Sequence, residues 1–107
     1  MTQVTPTELQ DRLMSDHPPH LLDVREVHEN EYVALPNSCL IPLGQLAERA
    51  EELTAWKDEA VVVYCHHGIR SQHAISLLSA LGFQQLENLQ GGIDAWSVLV
   101  DSTCPRY

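Results

Sequence analysis

The stretch Val61-Val62-Val63-Tyr64-Cys65-His66-His67-Gly68-Ile69-Arg70-Ser71 decides the fold. Three successive valines suit a strand buried on both faces, and Ala74, Leu77, Leu78 and Leu81 recur at helical spacing just beyond it. Between strand and helix lies a six-residue loop, Cys65 to Arg70. That connection sets Cys65 beside a helix N-terminus. First-turn N–H groups lack intrahelical partners there and the helix dipole favours negative charge, so a thiolate or a sulfur-bound anion is stabilised. Gly68 is expected to take a positive φ that lets consecutive amides converge, and Arg70 to close the loop with a fixed charge. The pattern is a cradle for a nucleophilic cysteine.

Towards the N-terminus, Thr5 is the N-cap of a first helix, with Pro6 at its first position, Glu8 completing a capping box and Val4 placed to staple onto Leu9. The helix is expected to end near Ser15-Asp16, before His17-Pro18-Pro19. His20 to Val24 reads as a short buried strand that delivers Asp23 and Arg25 at its C-terminal end. A polar helix or turn spans Glu26 to Ala34. Ser38 to Ile41 is a second buried strand stopped by Pro42, followed by a polar helical stretch from Leu43 to Thr54.

Towards the C-terminus, Gly82 ends the helix after the loop, Gln85 to Asn88 form a fourth strand, and Gly91-Gly92 open a final helix with Ile93 and Trp96. Strands alternating with helices over short connections predict a parallel, helix-covered α/β sheet. In such sheets ligands bind at strand C-terminal ends. Cys65 and the pair Asp23/Arg25 all fall there. Trp56 and Trp96 are expected to pack rather than bind.

Length and charge narrow the function. The 107 residues, 44% of them apolar, are expected to form one domain over 1–107. A formal charge of −9, with fifteen acidic against six basic residues, excludes nucleic-acid binding, which needs clustered cations. No stretch has transmembrane or signal-peptide character, and a cytoplasmic, membrane-free location is expected. Cys39, Cys65 and Cys104 are too widely and irregularly spaced for a disulfide framework and fit a reducing compartment. Neither a metal nor a cofactor is expected: Cys65, His66 and His67 are too close in a tight loop to share a tetrahedral ion. His66 and His67 are read as exposed loop side chains, and Cys104 as an incidental tail cysteine unless the tail folds back as a resolving thiol. Asp23 has two readings, N-cap of the following helix or support for the loop.

The chain resembles a single rhodanese domain. Leu21-Leu22-Asp23-Val24-Arg25-Glu26, the segment Asn37 to Leu43, the loop Cys65 to Ser71 and the closing Gly91-Gly92-Ile93-Asp94-Ala95-Trp96 carry the likeness. Asn37 stands where the family commonly has glycine, and Asn tolerates a left-handed backbone well. The tail to Pro105-Arg106-Tyr107 is similar to rhodanese domains fused to adenylating enzymes of molybdopterin and thiamine sulfur transfer. The resemblance implies a five-stranded parallel sheet with helices on both faces, and a sulfurtransferase that carries sulfane sulfur as a Cys65 persulfide. It implies a substrate-binding loop of His66, His67, Gly68, Ile69, Arg70 and Ser71, with Asp23 and Arg25 in support. The donor is expected to be a small anion such as thiosulfate or a protein persulfide, and a sulfur-carrier protein is an expected partner. A relay module with little free-standing turnover is the alternative. A phosphatase or arsenate reductase, which uses a Cys-x5-Arg loop, fits less well because only four residues separate Cys65 from Arg70.

Overall fold

A computed structural model describes residues 2–107. Its strands are β1 (Gln3–Val4), β2 (His20–Asp23), β3 (Cys39–Leu40), β4 (Ala60–Tyr64) and β5 (Gln85–Leu89). They form one parallel sheet in the order β1-β5-β4-β2-β3. The helices are α1 (Pro6–Leu13), α2 (Val27–Tyr32), α3 (Leu43–Arg49), α4 (Ile69–Ala80) and α5 (Gly92–Leu99), with a 3-10 turn over Ala50–Trp56. The α/β class and the five-stranded parallel sheet are as expected.

The central strand explains the layering. Val61 and Val63 point into a core with Leu46, Leu53, Ala74 and Leu78, while Val62 and Tyr64 point into another with Leu9, Leu21, Ile93 and Trp96. Alternation along a strand buried on both faces requires two apolar layers, one under α3 and α4 and the other under α1 and α5. The same strand therefore delivers Cys65 to the edge where the loops gather.

Four expectations shift. The first strand, β1, is missing from the sequence pattern because it has only two residues; Val4 pairs with Leu89 and also shares the second core with Leu9, the staple partner. The expected buried strand over Ser38–Ile41 shrinks to Cys39–Leu40, half-buried at the sheet edge, where β2 is its only neighbour. The helical stretch from Leu43 keeps α-helical form only to Arg49 before tightening. The N-cap of α2 is Glu26, which removes the N-cap reading of Asp23. Asn37 is the non-glycine residue with positive φ among the described residues, at 59°.

Candidate active site

The Cys65 side chain lies on the floor of the loop, with the residue 1% exposed. Gly68 takes a φ of 110° and caps α4, which turns its amide towards the sulfur. The Gly68 N–H donates to Sγ at 3.1 Å and the Ser71 N–H at 3.4 Å. Ser71 Oγ, 3.5 Å from Sγ, donates its own proton to Oδ1 of Asn88. Two backbone amides at the start of α4 thus provide the anion-holding donors, as a helix N-terminus can.

The loop is fastened from behind by α5. Ile93 N–H donates to the Cys65 carbonyl at 2.9 Å and Asp94 N–H to the His66 carbonyl at 3.1 Å. Gly92, with φ 64°, lies so close that a Cβ there would collide with the Cys65 and His66 backbone. Asn88 adds a side-chain tie, donating to Gln3 at 3.0 Å and to the Gly68 carbonyl at 3.5 Å. Sequence reading found the glycine pair as a helix start and missed this second role.

Beside the cradle runs an ion network. Asp23 and Arg25 are both fully buried, and Arg25 donates to the Asp23 carboxylate from Nε at 2.9 Å and from Nη2 at 2.7 Å. The Asp23 carboxylate also accepts from the Arg25 amide, Asn30 and Tyr64. Burial works against the Arg25 charge, and the bonds to Asp23 and Tyr107 outweigh it, so its proton is held more tightly than usual. Burial, reinforced by Asp23, pushes the Tyr64 hydroxyl up to about 12. Asp23 and Arg25 therefore make a structural pair at the strand end.

Arg70 is paired at the loop exit. It is the second residue of α4, and its guanidinium donates to Glu29 Oε1 at 2.7 Å and Oε2 at 3.0 Å. Glu29 holds the Arg70 charge firmly, and the Arg70 hydrogen bonds, against some burial, keep the Glu29 carboxyl well below the usual carboxylate range. Tyr107 joins the two ion pairs, accepting from Arg25 Nη1 at 2.9 Å and donating to Glu29 Oε2 at 2.7 Å. Sequence reading did not single out Glu29, and it met Tyr107 only as the end of the tail that carries the resemblance. The one available signal was Glu29's place four residues after Arg25.

The tail folds back rather than hanging free. Arg106 pairs with Asp94 at 2.8 Å, the Tyr107 ring stacks on His66 at 3.9 Å, and Cys104 is half-buried against the second core. His66 consequently lies between Tyr107 and His67, half-buried, with Nε2 shut off from any partner; the expectation of two exposed imidazoles holds for His67 alone. Burial, with His67 alongside, lowers the His66 pKa. Ile69 is exposed at the loop exit. Among the described residues no group of His, Cys, Asp and Glu is arranged to hold a metal ion, and no helix is long and apolar enough to cross a membrane.

Comparison with known proteins adds a family. Residues 5–99 match the Rhodanese-like domain model. Adenylyltransferase and sulfurtransferase MOCS3-2 of Zea mays is 38% identical over 102 residues, covering 90% of this chain and 21% of that protein. The putative sulfur carrier protein YrkF of Bacillus subtilis is 35% identical over 83 residues, covering 78% of this chain and 44% of its own length. The chain thus spans less than half the length of these relatives. The crystal structure of a rhodanese-like domain protein from Staphylococcus aureus superposes with a TM-score of 0.81 at 29% identity, covering 100% of this chain and 99% of that one.

Proposed function

The chain belongs to the rhodanese-like domain family, and on that footing we propose that it is a sulfurtransferase whose Cys65 carries sulfane sulfur as a persulfide. The observation that carries the reading is the pair of amides on Sγ, from Gly68 and Ser71. Both point at an atom that bears negative charge as the thiolate, before sulfur is loaded and again after it is delivered, and neither needs a proton to do so. The sulfurtransferase and sulfur-carrier names of the relatives agree with sulfur transfer in general.

The Cys65 thiolate attacks the outer sulfur of a donor such as thiosulfate or a protein persulfide. An S–S bond forms at Sγ, and the donor's own bond to that sulfur breaks, its electron pair leaving as sulfite or as a thiolate. A thiophilic acceptor then attacks the outer sulfur and releases the Cys65 thiolate. Asp23 and Arg25 support the floor of the site and take no proton. The exposed Ile69 at the loop exit suits contact with a protein that brings or receives the sulfur.

Intact-mass measurement tests this. After exposure to thiosulfate or methanethiosulfonate the protein is expected to gain one sulfur on Cys65 and to surrender it to cyanide as thiocyanate. Cys65→Ser is expected to stay folded by circular dichroism and to gain none, because an alkoxide cannot replace the thiolate in sulfur exchange. Sulfur uptake by Cys65→Ser at the parent rate refutes the assignment.

A further inference from the structure

We propose that Glu29 is the residue that sets donor selectivity: by holding the Arg70 guanidinium in a two-pronged pair it neutralises the one cationic side chain of the Cys65 loop, so that the site takes persulfide sulfur borne on a thiol in preference to the thiosulfate dianion. The inference rests on the sulfur-transfer reading above and deepens it.

Arg70 is the only Lys or Arg between Cys65 and Ser71. Its Nη1 and Nη2 each bond one oxygen of Glu29, the planar fork-to-fork geometry in which a guanidinium is held most firmly. Glu29 is itself fixed on both oxygens. Oε1 also accepts from the Glu26 amide at 3.0 Å, and Oε2 from the Tyr107 hydroxyl at 2.7 Å. The only other cation in the network, Arg25, is committed to Asp23. Two carboxylates thus balance two guanidinium groups, in a chain whose formal charge is −9.

Both cradle amides are engaged with Sγ of Cys65, and the one guanidinium of the loop is already balanced by a carboxylate. Thiosulfate brings two negative charges and must expel sulfite. A persulfide R–S–S⁻ brings one; the Cys65 thiolate bonds to its outer sulfur, the donor S–S bond breaks, and R–S⁻ leaves. With the Arg70 charge already neutralised by Glu29, little is left to offset the repulsion of thiosulfate's second charge by the acidic chain. Glu29 acts through Arg70, and is a positioning residue.

The test is a charge cycle on the full chain: the parent, Glu29→Gln, Arg70→Ala and the double variant. The Glu29–Arg70 pair then carries a formal charge of zero, plus one, minus one and zero. Two ratios are read at Cys65 by peptide mass: alkylation by iodoacetate over neutral iodoacetamide, and sulfur loading from thiosulfate over the monoanion methanethiosulfonate. Glu29→Gln is expected to raise both ratios at least about tenfold and Arg70→Ala to lower them, with the double variant returning to within about threefold of the parent. The gain is expected in KM for thiosulfate and to shrink as salt is added.

A purely structural role of Glu29 would change both reagents of a pair alike. Gln keeps an acceptor for the Glu26 amide, and Glu29→Ala, expected to give the same order, covers the case in which Gln fails to fold. Ratios that do not follow the formal charge overturn the assignment of Glu29 while leaving the persulfide in place. If the alkylation ratios follow the charge but no donor loads sulfur on Cys65, the persulfide reading fails and donor selectivity falls with it.

Discussion

The cradle around Sγ of Cys65 and the ion network beside it touch at Arg70 and Ser71, yet they are made of different atoms. The cradle is backbone: amides of Gly68 and Ser71 on the sulfur, and amides of Ile93 and Asp94 on the loop carbonyls. The network is side chain, with Asp23, Arg25, Glu29, Arg70 and Tyr107 drawn from four separate parts of the chain. Backbone dipoles carry no titratable charge and depend on φ and on how near two segments lie. A balanced set of buried charges depends on the identity of every member. The two are therefore vulnerable to different substitutions.

The largest expected effect falls on the network. Asp23→Ala leaves the fully buried Arg25 guanidinium with only the Val33 and Glu29 carbonyls and the Tyr107 hydroxyl as acceptors. Breaking a buried pair from one side costs about 3–5 kcal/mol. Urea unfolding is expected to show that loss, and a change under about 1 kcal/mol would mean that Asp23 does not hold the network together.

The cradle is challenged by adding a methyl group and no charge. Gly92→Ala drives a Cβ into the Cys65 and His66 backbone at a position already at positive φ, with an expected cost of about 2–4 kcal/mol and slower alkylation of Cys65. Gly68→Ala is expected to cost less, about 1–2 kcal/mol, because its Cβ meets nothing closer than Asn88 Nδ2 at 3.4 Å and only the φ of 110° opposes it. The reverse order would show that local backbone conformation, and not the approach of α5, holds the loop.

The same division explains what could be read from the residues. Helix capping by Thr5 and Glu8, the valine strand, the positive φ of Gly68 and the parallel α/β sheet were legible because each rests on local pattern or on a motif contiguous in the chain, while the fifth strand and the left-handed Asn37 came only with the family resemblance. The cradle is one such motif. Arg70 was visible as a charge but its partner was not, since Glu29 lies 41 positions away and their pairing is set by how α2 meets α4. Tyr107 was visible only as the end of a tail that resembles the family's, and not as a member of the network: 82 positions from Arg25, it reaches the network because the tail turns back across His66. The two-residue β1 and β3 escaped full description for a related reason, since pairing with β5 and β2 rather than any internal pattern makes them strands.

The smallest expected effect separates the two assemblies by pH. The Glu29 carboxyl is held below its usual range first by the Arg70 hydrogen bonds, then by the Glu26 amide and Tyr107 against the cost of burial. A group whose folded pKa is depressed stabilises the fold above its unfolded pKa, near 4.3 for Glu, and loses that contribution as pH falls towards the folded value. The Glu29 contribution is thus complete above about pH 5 and declines below it. Asp94, Glu52 and Glu8, also lowered by their partners, weaken the parent in the same acid range, so the difference between proteins is the measure. The melting temperature of the parent minus that of Glu29→Gln is expected to shrink on going from about pH 6 to about pH 3, because the variant has no carboxyl at 29 to protonate. The corresponding difference between the parent and Gly92→Ala is expected to stay level across that range, since a steric clash with backbone carbonyls does not titrate. A Gly92→Ala difference that falls with acid in step with that of Glu29→Gln would show that the cradle leans on the network's charges and that the two assemblies act as one.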